Sequence, residues 1–489
     1  MTTRRAFIAG ILGAATLTAT AACGSVDTVG DVDFVRPLRV PPLAESTVDA
    51  DGTRVFDLVA QKGSRDFGAG GRMNTWGFNG DYLGPTLRAV RGERVRVNVV
   101  NMVGENTSVH WHGMHLPARM DGGPHQEVRP GATWSPTWTV NQPAATLWYH
   151  PHPHGATEEH VTRGLAGMFI LDNDNDEDVR LPKTYGVDDL PVIVQDRSFG
   201  GDGEFNTRDR GDTLLVNGTL APYFEVSTEK VRLRLLNAST ARVYDFGLSD
   251  DRSFAMVGSD GGLLEQPFAT RRIRLSPGER AEIVVAFRPG ETTVLRSFSP
   301  DLGDNFFADV FGGGRDQFDV LELRAAARLA PSPDVPARLA VIDRLDPAGA
   351  ARHRSFRLSG TDINGDKMDM NRIDEIVTVD TTEVWDLSNQ DGQIHSFHVH
   401  DVQFQVLSVD GQTPDAPLRG WKDTIFVKPN TTVRIILRFA DYTDPGMPYM
   451  YHCHLLMHED NGMMGQFVVV APGQRATAPP PTIGHDHDD

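Results

Sequence analysis

The run Tyr451-His452-Cys453-His454-Leu455-Leu456-Met457-His458, followed by Met463, sits near the end of a chain of 489 residues. A thiolate, two imidazoles and a weak thioether form the donor set of a blue-copper electron-transfer centre. Successive side chains on a strand point to opposite faces, so Cys453 is expected to face one metal while His452 and His454 face another. One tripeptide would then join two copper sites.

Working outward, most of the 17 histidines gather in short clusters. Besides the run above these are His110-Trp111-His112, Trp148-Tyr149-His150-Pro151-His152-Pro153-His154 and His395-Ser396-Phe397-His398-Val399-His400. Each contains His-x-His, a spacing that puts both imidazoles on one face of a strand. In the third cluster His398 and His400 share a face and His395 points to the other, just as Cys453 opposes its two neighbours. His395, Cys453 and His458 are therefore expected to converge on one copper, with Met463 as the axial ligand. The paired histidines His110, His112, His150, His152, His398, His400, His452 and His454 would form a separate site. Eight imidazoles exceed the needs of one ion at about four ligands each, and three coppers suit them. A four-copper protein can collect single electrons and pass four to dioxygen.

Between these clusters the chain reads as all-β. Short alternating runs such as Val95–Val100, Val231–Asn237, Ala281–Phe287, Val402–Leu407 and Thr432–Leu437 are broken by Gly and Pro, and no window sustains a helical period. Runs ending in Asn101, Asn237 and Asn389 form a weak internal repeat. Three β-sandwich domains are the economical arrangement, at 46–175, 186–326 and 340–474. An acidic link at 172–178 and a Pro-rich link at 331–336 separate them, residues 25–45 read as linker, and the tail 475–489 reads as disordered. The middle domain has no Cys-His arrangement and is expected to be a spacer. A formal charge of -19 argues against nucleic acid as a partner.

The first 24 residues carry export information. Thr3-Arg4-Arg5-Ala6-Phe7 ahead of an apolar stretch resembles a twin-arginine signal, which implies a periplasmic or other extracytoplasmic location. Ala21-Ala22-Cys23-Gly24 suits either lipoprotein processing, with a lipid anchor on Cys23, or plain signal-peptidase cleavage. On both routes Cys453 is left without a disulfide partner and is free for metal.

The four clusters, in this order, resemble the signature of the three-domain multicopper oxidases, a family that includes laccases and bacterial copper efflux oxidase. Asp121-Gly122-Gly123-Pro124, Ser259-Asp260-Gly261-Gly262, Gly420-Trp421-Lys422-Asp423-Thr424 and His458-Glu459-Asp460-Asn461-Gly462-Met463-Met464 extend the likeness. It implies three cupredoxin-like Greek-key β-sandwich domains. It also implies four copper ions: type 2 on His110 and His398, a type 3 pair on His112, His150, His152, His400, His452 and His454, and type 1 on His395, Cys453, His458 and Met463. Asp121 and Glu459 correspond to the family's proton relays. The implied reaction is one-electron oxidation of phenols, aromatic amines or metal ions such as Cu(I), coupled to reduction of dioxygen to water, by a monomeric enzyme with a place in copper homeostasis. The alternative is a copper-sequestering or tolerance protein, or a non-catalytic scaffold, on the same fold. Where the copper efflux group carries a Met-rich insert this chain has none, and Gln393 stands where that group has Met. Met447 and Met450 are read as core residues, and His115, His125, His154, His160 and His353 as surface or hydrogen-bonded residues outside the copper sites.

Overall fold

The computed structural model describes residues 25–173, 180–206, 210–303 and 306–480. The signal and Cys23, most of the acidic link and the tail beyond 480 lie outside them. The described chain is built from strands, with the short helices Thr157–Arg163, Phe306–Phe311 and Leu456–Asp460 between them. None is long and apolar enough to cross a membrane.

Alternating strands pack their apolar faces together, sheet on sheet. In the first block Phe56, Leu58, Val95, Val97 and Val99 from one sheet share a core with Trp111, Leu147, Tyr149 and Phe169 from the other. In the third, Phe356, Trp385, Ile435 and Leu437 pack against Phe397, Tyr451, Cys453 and Phe467. A middle block of two sheets has its own core around Leu233, Leu235, Phe246 and Ile283.

The Asn-ended strands recur in a common setting. Arg94–Met102, Lys230–Asn237 and Thr381–Asn389 each run parallel to an earlier strand, pairing Asn101 with Ala60, Asn237 with Val194 and Asn389 with Leu358. Each Asn amide donates to two carbonyls, Glu105 and Val128 for Asn101, Arg242 and Leu275 for Asn237, Gln393 and Val427 for Asn389. Each side-chain oxygen accepts the backbone N–H two residues on, at Val103, Ser239 and Asp391. The repeat is thus a buried corner that satisfies backbone groups where the strand ends.

Some expectations change. The segment read as a linker contributes the short strand Arg36–Pro37, which pairs in parallel with Pro222–Thr228 at the edge of a middle-block sheet. The strand expected from Val402 begins at Phe404, and the one expected to include Phe287 ends at Ala286. Of the tail, residues to 480 are described, and the Thr477 N–H donates to the Pro445 carbonyl.

Candidate metal centre

The histidines lie where two sheets from different blocks meet. Strand His110–His112 pairs with Ala145–His150, setting His110 opposite His150. Strand His395–Val399 pairs with Tyr449–Cys453, setting His398 opposite His452 and Phe397 opposite Cys453. Directly opposed residues share a face, so Cys453 and Phe397 enter the third core while His398 and His452 turn toward the first block. Only the His110–His112 pair lies wholly within a strand. His152, His400 and His454 stand just past strand ends, yet reach the same site.

All eight paired histidines are buried, and they form triads whose donor atoms lie within 4.8 Å of one another. These are His112, His150 and His454; His152, His400 and His452; and His110, His398 and His400. The Nε2 atoms of His110 and His398 are 3.4 Å apart, and those of His400 and His452 are 3.2 Å apart. Burial and neighbouring imidazoles hold His112, His398, His400 and His454 well below the usual histidine range. They are therefore neutral, the form that binds metal. Both ring nitrogens of His454 are buried without a hydrogen-bond partner. Converging lone pairs in a dry site are costly unless a cation takes them, so the donor set fits bound metal.

The second ring nitrogens are mostly engaged, which fixes tautomers. His110 Nδ1 donates to the Asp121 carbonyl at 3.0 Å, His398 Nδ1 to the Asp423 carbonyl at 2.8 Å and His150 Nδ1 to the Pro151 carbonyl at 2.8 Å. His400 Nδ1 donates to Asp121 Oδ2 at 2.7 Å. Asp121 reaches both rings because Gly122, at φ +80°, lets its turn touch the strand, where a Cβ would stand 1.8 Å from the Val109 carbonyl oxygen. Glu459 is fully buried, 3.1 Å from His452 Nδ1 and 3.4 Å from His152 Nδ1. Burial pushes its carboxyl up, but the imidazoles of His152 and His452 outweigh this and hold it at about 2.

A separate group forms on the core side of the same strand. Cys453 Sγ lies 3.6 Å from His395 Nδ1 and 3.7 Å from His458 Nδ1. Burial raises the thiol, but the two imidazoles overcome it and bring it to about 5, a thiolate at neutral pH. Met463 is fully buried in the same core. Its N–H donates to the His458 carbonyl at 2.9 Å, and its carbonyl accepts the Cys453 N–H at 3.0 Å. Asp391 Oδ1 stands 3.5 Å from His395 Nε2. A cavity of about 460 Å³ opens beside this group, lined among others by Arg210, Gln393, Ile394, Leu455, Met457 and His458.

The remaining described histidines stand apart from both groups. His115 bridges Asp401 and Asp441, His125 meets Gln466, buried His160 meets Thr107, and His353 is exposed. His154 belongs to neither donor group. Met450 is buried, and Met447 Sδ accepts the Gln126 amide at 2.8 Å. Sequence reasoning assigned no role to Asp423, whose Oδ1 accepts from His112 Nε2 at 3.0 Å, or to Trp148, whose ring lies 4.1 Å from that of His150. Their motifs were visible, but nothing in spacing ties Asp423 to a histidine in another block.

Paired β-sheets that carry this thiolate–imidazole group beside an eight-histidine cluster are the arrangement of a copper protein of the multidomain cupredoxin class. Family profiles described as multicopper oxidase match residues 60–176, 172–293 and 334–473. The chain belongs to the multicopper oxidase family. It is 37% identical over 443 residues to the multicopper oxidase mco of Staphylococcus haemolyticus, covering 88% of this chain and 91% of that one. It is also 37% identical over 453 residues to the cell division protein FtsP of Yersinia pestis, covering 89% and 92%. Among solved structures, the laccase-like multicopper oxidase CueO of Ochrobactrum sp. superposes with TM-score 0.81 at 35% identity, covering 89% of this chain and 100% of that one. The laccase of Pediococcus acidilactici superposes with TM-score 0.81 at 33% identity, covering 90% and 94%.

Proposed function

We propose that this chain is an active oxidase that takes single electrons from an organic donor at the Cys453 group and reduces dioxygen to water at the eight-histidine cluster. The observation that carries this reading is the buried convergence of donor atoms on both sides of one tripeptide, His395, Cys453 and His458 on one side and the eight paired histidines on the other. His395, Cys453, His458 and Met463 hold the type 1 ion. His110 and His398 hold the type 2 ion, and His112, His150, His152, His400, His452 and His454 hold the type 3 pair. Bound copper supplies one-electron acceptance at the first group and four-electron delivery to dioxygen at the second. The backbone of His452-Cys453-His454 is the covalent link between them.

Protein groups do the rest. Asp121 Oδ2 holds the His400 Nδ1 proton, and Asp121 and Glu459 are the carboxylates placed to pass protons into the cluster. Burial keeps bulk water from it. The cavity at His458 is walled by Ile394, Leu455 and Met457 with one guanidinium, a lining suited to an aromatic donor. The Ochrobactrum relative is described as acting on lignin model compounds, which agrees with a phenolic donor here. The leader supports export by the twin-arginine route.

A scaffold without oxidase activity is the second reading, favoured by the FtsP relatives, whose name states a role in cell division. Oxygen uptake by copper-loaded protein separates the two. Uptake driven by a bulky phenol, and faster than with cuprous ion, is the expected result. No uptake with any donor supports the scaffold, and a clear preference for cuprous ion overturns the organic donor.

A further inference from the structure

We infer that the middle block is more than a spacer: its Ser276–Arg280 turn positions the rings of His112 and His454 in the histidine cluster. This rests on the copper reading above for its consequence, but the geometry stands by itself. Gly278 has φ +87°, and a Cβ there would lie 3.1 Å from His454 Cγ and Cδ2 and 3.2 Å from His112 Cε1. The bare backbone of the turn therefore packs against two cluster rings, one from each outer block. No other residue's side chain hydrogen-bonds the His454 ring among the described residues, so packing sets its plane.

Arg280 acts on His112 through Asp423. Its Nη1 and Nη2 donate to Asp423 Oδ1 and Oδ2 at 2.6 and 2.7 Å, a bidentate pair buried from solvent. The guanidinium is itself fixed by the carbonyls of Thr146 and Asp260, at 2.8 and 3.0 Å. Held in this way, Asp423 Oδ1 accepts from His112 Nε2, which leaves His112 Nδ1 to face His150 Nε2 at 3.4 Å. A carboxylate behind a ligating histidine sets its tautomer and ring angle, and a planar guanidinium fixes that carboxylate where an ammonium would not.

The turn is anchored to the third block at both ends. Ser276 Oγ lies 2.8 Å from Ser396 Oγ, and Ser396 Oγ donates to the Pro277 carbonyl at 2.9 Å. Ser396 sits between His395 and His398 in the chain. Glu279 pairs at 3.0 Å with Lys422, the residue before Asp423. Gly278 and Arg280 are positioning residues and touch no reacting atom.

The test compares Arg280→Lys with Arg234→Lys. Arg234 is also buried, also joins first and middle blocks through Thr146, Asp189 and Glu282, and meets no cluster histidine in its hydrogen bonds. Two readouts are taken: copper retained against graded chelator, and crystal structures of both variants without copper. Arg280→Lys is expected to keep the blue absorption of the Cys453 group while binding cluster copper about 10–100-fold more weakly, the usual effect of losing such a partner. Without copper, its His112 Nε2 should no longer rest on Asp423. Arg234→Lys should change neither. Equal loss in both variants, or an unmoved His112 with wild-type retention, overturns the inference. If Arg280→Lys does not fold, Gly278→Ala decides: a displaced His454 ring supports the inference and an unmoved ring overturns it. Wild-type protein that binds no cluster copper would sink the functional reading, whereas the copper-free structures still decide this one.

Discussion

His152 and His452, 300 positions apart in the chain, point their Nε2 atoms at each other across 3.2 Å. One ring comes from the first block and the other from the third. The other nitrogen of each ring faces the Glu459 carboxylate, so both Nε2 atoms are directed at one point between the blocks, where a shared cation can take both lone pairs.

The blocks should therefore be stapled by metal. Copper at a hundredfold above its dissociation constant adds about 2.7 kcal/mol per independent site. Loaded protein is expected to melt several degrees above chelated protein, with the gap growing with free copper. Calorimetry of the two forms checks this, and coincident melting would contradict convergence on a cation.

Cys453 belongs to the third core while its neighbours belong to the interface. Cys453→Ser should abolish the blue absorption yet retain the copper of the eight-histidine cluster, measured by metal analysis with spectroscopy. Retained colour would refute the thiolate ligand.

Asp121 and Glu459 flank the cluster on different rings. Asp121→Asn and Glu459→Gln keep shape but remove a proton acceptor, and each is expected to lower turnover by about a hundredfold, a usual share for general acid–base groups. The Michaelis constant for the donor should not move, since neither carboxylate lines the cavity at His458. Steady-state oxygen uptake reads both quantities.

How far these residues could be seen in advance depends on how local their signals are. Cys453 and its flanking histidines declare opposite faces through a period of two, and the strand Tyr449–Cys453 carries that parity into the structure. His152, His400 and His454 lie beyond strand ends, yet the His-x-His spacing already grouped them with the other paired histidines, and the family resemblance supplied only their division into type 2 and type 3 ligands. Arg280 and Gly278 gave no such signal. Their contacts depend on how three blocks dock, a long-range relation that neither composition nor spacing records. The same holds for Arg36–Pro37, whose pairing with Pro222–Tyr223 no periodicity announces.

Docking between the first two blocks makes a last prediction, on pH. Glu282 is buried, accepts from Thr146 Oγ1 at 2.5 Å and pairs with Arg232 and Arg234. Burial raises its carboxyl, but the two guanidinium groups and the Thr146 hydroxyl outweigh that and bring it from 4.5 to about 2. A depressed folded-state value means the stabilisation is present above the unfolded value and lost as pH falls through the folded one. Glu282→Gln should thus cost about 3 kcal/mol at pH 7, as for a broken buried pair. The difference from wild type should hold down to about pH 4.5, then shrink and close near pH 2, where protonated Glu282 resembles the amide. Urea unfolding of both proteins at pH 7, 5 and 3 measures it, and a gap independent of pH would show that Glu282 acts by shape rather than charge.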